Sequence, residues 1–210
     1  MKLIKSSFEI INWNIDNKLI ERCGRVCYQS ESKGDPDKFV KMVIDRGHES
    51  VVEHSSATVQ LIIDRGFLAE ITRHRIISPS AESTRFCTYK SGCTFIIPPW
   101  VDILPGEYYY LLDDYKDYNI ENKTRLWFNA MLHSENYYKD LLSNGWTPQQ
   151  ARSVLPNSLK TEVDITTNAR EWRHIFDLRC DASAHPQMRE IMVPLQQEFA
   201  KRNPILFGDV

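Results

Sequence analysis

Apolar residues in this chain fall into short periodic runs separated by polar punctuation. Leu19, Ile20, Cys23, Val26 and Cys27 recur at helical spacing and predict a helix over Ile15 to Cys27. A second helix is better bounded. Asp35 can cap it, Pro36 takes its first position, Gly47 can end it, and Phe39, Val40, Val43 and Ile44 form its stripe. The β-branched density of Thr58, Val59, Leu61, Ile62 and Ile63 predicts a strand over Ser56 to Asp64. Gly66 to about Arg75 reads as helical, and Ile76 to Phe86, with Pro79 and several serines and threonines, as irregular. Thr94 to Ile97 is a short strand stopped by Pro98 and Pro99.

The segments Tyr108 to Tyr118 and Asn122 to Asn144 mix aromatics with charges and predict a helical hairpin or lobe closed by Gly145. Thr147 then caps a short helix beginning at Pro148, and Lys160 to Thr167 alternates weakly as a third strand. Asn168 with Glu171 three residues on resembles a capping box that opens a helix to Leu178. A final amphipathic helix carries Met188, Ile191, Leu195 and Phe199, and Pro194 must kink or divide it. Strands mixed with helices, without regular βαβ alternation, give an α+β expectation: one domain over 1–210 with a small, mostly antiparallel sheet. The helical lobe falls at about 107–144.

Composition narrows the function classes. The 210 residues are 42% hydrophobic and 26% charged, ordinary for a globular protein. A formal net charge of −2 disfavours a general nucleic-acid binder but leaves room for a local basic site. No apolar run suits a signal peptide or a membrane span, so the expected location is the cytoplasm, or a host cytoplasm for a viral protein. Five cysteines, an odd number with no Cys-x-x-Cys pair, read as reduced thiols packing as small hydrophobes.

Arg73-His74-Arg75 is the most unusual local feature. On a helix, positions 73 and 75 would lie about 200° apart, so one tripeptide could touch two ligands. Ser78, Ser80, Ser83, Thr84 and Arg85 follow, and hydroxyls, loop amides and an arginine can cradle a phosphate. The same residues would also suit a solvated helix end followed by a polar loop.

Arg73-His74-Arg75, seven residues, Ser83 and then Arg85 resemble the signature of the flavin-dependent thymidylate synthases. The segment His48 to His54 resembles that family's His-x-Ser/Thr-x-x-Glu-His block, and Ala151 to Pro156 its Ala-Arg-x-x-Leu-Pro block. Asn168-Ala169-Arg170, Leu178-Arg179 and His185 resemble its Asn-Ala-Arg…Leu-Arg…His block. The four blocks stand in the family's order between Gly47 and His185.

The resemblance implies a homotetramer binding FAD and dUMP at subunit interfaces, with no metal. Ser50, Arg73, His74, Arg75, Asn168, Arg170 and His174 would contact FAD. The dUMP site would draw on Glu70, Arg73, the loop from Ala81 to Arg85 including Ser83, Arg152 and Arg179. Arg179 would be the catalytic group, stabilising negative charge on the uracil ring, because an arginine cannot act as a base. NADPH would supply electrons and methylenetetrahydrofolate the carbon, with no enzyme nucleophile.

Some positions depart from the family pattern. Glu70 stands for a common Gln, Ala81 for a polar residue, Phe86 for Tyr and His174 for Asn, and Cys180 follows Arg179 where a small residue is typical. Two rival readings remain at the level of sequence. One is a nucleotide or RNA module using Arg73, Arg75 and the tryptophans Trp100, Trp127 and Trp172. The other is a metal hydrolase built on His48, Glu53, His54, His74 and His185, whose spacings fit no standard ligand motif.

Overall fold

A computed structural model of the chain describes residues 1–27, 29–31, 34–109 and 121–210. These form two compact units. Unit 1 comprises Met1–Ser7, Ile62–Ile71 and Ala81–Val163, and unit 2 comprises Phe8–Leu61, Thr72–Ser80 and Asp164–Val210.

Unit 1 is organised by a three-stranded sheet. Strand β1 (Lys2–Ile4) is central, with β5 (Thr94–Ile96) parallel on one side and β6 (Gly106–Glu107) antiparallel on the other. Leu3 sits opposite Phe95, and both are fully buried. The N-terminal strand was not expected, because three residues are too few to show a period. Helix α4 (Asn122–Ser143) covers this core with Phe128, Met131, Leu132, Glu135 and Tyr138, a stripe at helical spacing. Of the lobe expected over 107–144, residues 110–120 lie outside the described residues, and Tyr108 and Tyr109 are not helical. Helix α3 (Arg65–Ile71) starts where Asp64 accepts a hydrogen bond from the Phe67 amide at 2.7 Å. In helix α5 (Pro148–Ala151), Gln150 Oε1 accepts from both the amide and the hydroxyl of Thr147.

A second sheet has the strand order β2 (Ser7–Asn14), β3 (Ser56–Asp64), β7 (Lys160–Asn168) and β4 (Ser78–Ala81). Thr58 bonds Thr166 at 2.8 Å and Gln60 bonds Asp164 at 3.2 Å, so β3 and β7 run antiparallel. Strand β4 lies inside the stretch expected to be irregular. It is an edge strand, which is where a proline such as Pro79 can be accommodated. Strand β2 was also unforeseen, since its half-buried alternation is broken by polar residues. The α+β class therefore holds, with two small sheets rather than one and a parallel pair in the first.

The helices of unit 2 are α1 (Asn17–Cys27), α2 (Pro36–Asp45), α6 (Ala169–Cys180), α7 (Pro186–Arg202) and α8 (Pro204–Phe207). Asp35 accepts from the Asp37 amide to cap α2, and Gly47, at φ +68°, follows its end in the left-handed region. Helices α1 and α2 approach closely at Gly24, where an added Cβ would lie 2.6 Å from the Phe39 ring. Helix α7 runs through Pro194 as one element rather than two. Trp172 and Phe176 of α6, Phe199 of α7 and Phe207 of α8 interlock as an aromatic core, joined by Trp13. Trp172 also donates its indole N–H to the Ala57 carbonyl at 3.2 Å. No helix among the described residues is long and apolar enough to cross a membrane.

Candidate active site

Helix α6 supplies most of the unusual chemistry of unit 2. Asn168 caps it, accepting from the Glu171 amide at 2.8 Å. The expected reciprocal half of that cap is absent, because the Glu171 carboxylate meets His74 Nδ1 instead, at 3.1 Å. The other ring nitrogen, His74 Nε2, accepts from Arg179 Nε at 3.1 Å. His74 is buried, Arg179 half-buried, and His174 exposed with its ring 5.6 Å from that of His74. Burial, with the Arg179 guanidinium beside it, holds His74 below its ordinary value against the opposing pull of the Glu171 carboxylate.

The tripeptide 73–75 is not helical, since α3 ends at Ile71. The expectation that Arg73 and Arg75 face opposite sides, toward two ligands, does not hold, because outside a helix both arginines line the same cleft. His74 is buried while Arg73 and Arg75 are both exposed. The three residues line a cleft of about 410 Å³ with Ile76, Glu171, His174, Leu178 and Arg179. A second cleft, of about 600 Å³, shares Ile76, Glu171 and His174 with the first and adds Asn168, Arg170 and Arg173. Six of the seven residues expected at FAD thus line these two clefts. Ser50, exposed in the 3₁₀ turn Glu49–His54, lines neither, although its neighbours Glu49 and Glu53 line the larger.

Carboxylates neutralise the helix cations. Arg170 donates to Glu53 at 2.7 Å and lies 3.6 Å from Glu49. Arg173 is buried, pairs with Asp209 at 2.7 Å and with Glu49 at 3.4 Å, and also donates to the Leu206 carbonyl. Glu171 and Glu49 line these clefts without having been expected there, and Glu53 was expected only as a metal ligand in the rival hydrolase reading. In sequence Glu171 carries the signal of a helix cap, three residues after Asn168. His74, Glu171 and His174 offer ligand atoms within 4.8 Å of one another, the only such grouping among the described residues. Both His74 nitrogens are already engaged, and Arg179 puts a positive charge beside them.

The dUMP candidates divide between the units. Arg73 and Arg179 belong to unit 2, while Glu70, Ala81, Ser83, Arg85 and Arg152 belong to unit 1. In unit 1, Ser83 Oγ accepts from the Arg85 amide at 3.3 Å, and the exposed Arg85 guanidinium lies 5.5 Å from the Phe86 ring centre. Arg152 donates to Thr84 Oγ1 at 2.9 Å and lines a cleft of about 260 Å³ with Arg65, Thr84, Ser153 and Asn157. Neither Arg85 nor Arg152 has a carboxylate partner among the described residues. Glu82 in the same loop is held away from them, accepting from Tyr89 at 2.8 Å and Lys160 at 3.1 Å. Glu70 is half-buried on α3, and Ala81 is exposed at the end of β4.

All five cysteines are free. Burial pushes the Cys93 thiol up to about 12 and the Cys180 thiol up to about 11, so neither is a thiolate nucleophile near neutral pH.

Residues 9–205 match the family described as thymidylate synthase complementing protein. The chain is 32% identical over 209 residues to a flavin-dependent thymidylate synthase of Mycobacteroides abscessus, covering 95% of this chain and 83% of the relative. It is 32% identical over 197 residues to that of Mycobacterium avium, covering 91% and 78%. Among solved structures it resembles a UMP/dUMP methylase, PolB, from Streptomyces cacaoi. With 5-Br dUMP bound, the TM-score is 0.80 at 24% identity, over 99% of this chain and 96% of the other. With 5-Br UMP bound, the values are 0.77 and 22%, over 99% and 95%. At these identities the structural likeness speaks to the fold.

Proposed function

The chain belongs to the thymidylate synthase complementing protein family, that of the flavin-dependent thymidylate synthases, and from this premise we propose that it methylates dUMP to dTMP reductively. It is an enzyme with a flavin cofactor, read here as FAD. Methylenetetrahydrofolate is the carbon donor and NADPH the reductant. The whole of 1–210 acts as one functional domain, assembled as a homotetramer with sites at subunit interfaces.

The observation that carries this reading is the Arg179 guanidinium, anchored through His74 in a cleft that Arg73 and Arg75 also line. The residues suit the cofactor. Arg73 and Arg75 are exposed, with no carboxylate partner among the described residues, and so are available to a diphosphate. Asn168, Arg170 and His174 offer donors along one wall of the larger cleft. Both His74 ring nitrogens are committed within the protein, so its contact with FAD runs through the ring face or the backbone. Ser50 is kept as an FAD contact on the strength of the block match alone. When bound, the flavin supplies the redox chemistry that turns a methylene unit into methyl.

The chain's own residues orient and polarise dUMP. Arg85, Arg152 and the amides of the Ala81 to Arg85 loop hold the phosphate, with Ser83 assisting. Glu70 serves a sugar hydroxyl rather than the phosphate, which it would repel. Arg179 stabilises negative charge at uracil N3 and its carbonyl oxygens, and this raises electron density at C5, the carbon to be methylated. The high thiol values of Cys93 and Cys180 accord with a reaction that uses no enzyme nucleophile.

The test begins with the visible spectrum of the purified protein. A flavin spectrum that bleaches anaerobically on adding NADPH with dUMP is expected. A colourless protein that takes up no FAD would overturn the reading. Arg179→Ala should then retain FAD and lose dTMP formation by about 100- to 1000-fold, the scale for removing one charge-stabilising donor.

A further inference from the structure

We propose that Glu171 is a positioning residue that acts through His74 to set the orientation of Arg179. The proposal rests on Arg179 being the group that meets the pyrimidine, and extends that reading to a residue outside the family signature.

The argument is one of hydrogen-bond direction. A guanidinium has only N–H groups and is not deprotonated in proteins, so Arg179 Nε must be the donor in its 3.1 Å contact. His74 Nε2 is therefore a lone pair, and a neutral ring carries its single proton on Nδ1. That proton points to the Glu171 carboxylate, which accepts it at 3.1 Å. The chain of donors runs one way, from Arg179 through the imidazole to Glu171. With no acceptor at Nδ1, the ring would gain nothing from this tautomer, and Nε2–H would confront Arg179 with donor against donor.

Geometry explains why a separate residue is needed. Glu171 and Arg179 stand eight apart on α6, about two turns, so they share a face but cannot touch. His74 enters from the turn after α3 and spans the gap with its two nitrogens. Asn168 pins the Glu171 backbone at the helix start, which leaves the Glu171 side chain to serve His74. The charged and titratable groups around this imidazole are Glu171, Arg179 and His174, with Arg73 and Arg75 on the same cleft. Burial together with the nearby guanidinium keeps the ring neutral, as this direction of donation requires.

The experiment uses the FAD-loaded enzyme. Nitrogen-15 NMR of the histidines should show His74 neutral and protonated at Nδ1 in the wild type, and without that preference in Glu171→Ala. In Glu171→Ala, kcat should fall by about 10- to 100-fold, the scale of displacing a reacting group by an ångström. FAD content and KM for dUMP should change little. Glu171→Gln, whose carbonyl still accepts from Nδ1–H, should restore most of kcat and serves as the deciding variant if the alanine protein does not fold. A wild-type His74 that is charged or protonated at Nε2 overturns the proposal. So does Glu171→Ala at wild-type kcat while Arg179→Ala is dead. If Arg179→Ala itself turns over normally, the functional reading fails, and the NMR result still reports on the hydrogen-bond chain separately.

Discussion

The two units place their carboxylates differently. In unit 1 the acids serve structure. Glu135, on the buried face of α4, pairs with Lys139 and accepts from the Cys93 amide at 2.9 Å, and Glu82 is occupied by Tyr89 and Lys160. The arginines Arg85 and Arg152 are left without an acidic partner among the described residues. In unit 2 the acids meet the side chains at α6: Glu53 pairs with Arg170, Asp209 and Glu49 pair with Arg173, and Glu171 accepts from the His74 ring, while Arg73 and Arg75 have no carboxylate partner among the described residues. An uncompensated arginine attracts a dianion such as a nucleotide phosphate. A compensated one contributes direction more than charge. On the proposed reading, Arg85 and Arg152 of unit 1 would supply affinity for the phosphate, and the paired side chains at α6 in unit 2 would supply aim.

The comparison can be broken most sharply at Glu135. Burial alone would raise its carboxyl, but the Lys139 ammonium and the Cys93 amide outweigh that and hold it below its usual 4.5. A depressed carboxyl contributes stability fully present above that ordinary value and lost as pH falls through the lower folded one. Glu135→Gln should cost about 3 kcal/mol at neutral pH, and its acid-unfolding curve should lack this limb. Urea melts at several pH values would check this, and an unchanged acid limb would mean that Glu135 is not the structural anchor of unit 1.

Arg152→Ala comes next. Losing a charge-assisted bond worth about 1.5–3 kcal/mol should raise KM for dUMP by about 10- to 100-fold while kcat moves less. Steady-state kinetics decide it. A fall in kcat at constant KM would put Arg152 among the groups that aim rather than bind, and would blur the contrast with unit 2.

The smallest effect is expected at Glu53, whose pair with Arg170 is exposed on both sides. Glu53→Gln should change stability by less than about 1 kcal/mol in thermal melts. A loss of several kcal/mol would make the unit 2 pairs structural and reverse the comparison.

Much of this was legible in the chain, and the exceptions have physical causes. Strand β3 and helix α2 match their expected bounds closely because period, cap and breaker agree there. Strands β1 and β4 escaped because one is three residues long and the other carries an edge proline that local reasoning counts against a strand. Arg73, His74 and Arg75 are recognisable by type, but a helical reading sends the two arginines to opposite sides, whereas the structure sets both on one cleft. A turn after Ile71, not a helix, buries the histidine and exposes its neighbours.

The order of residue types along the chain was enough to determine the family resemblance, the α+β class and the arginines and histidines available for chemistry. Those depend on local period and on which side chains can carry charge. What each ion pairs with was decided only in three dimensions. Glu171 looks like a helix cap from three residues away, and becomes the partner of His74 only when a turn 97 positions earlier is folded against α6. Charges interact through space at a few ångströms, and sequence separation carries no information about that distance.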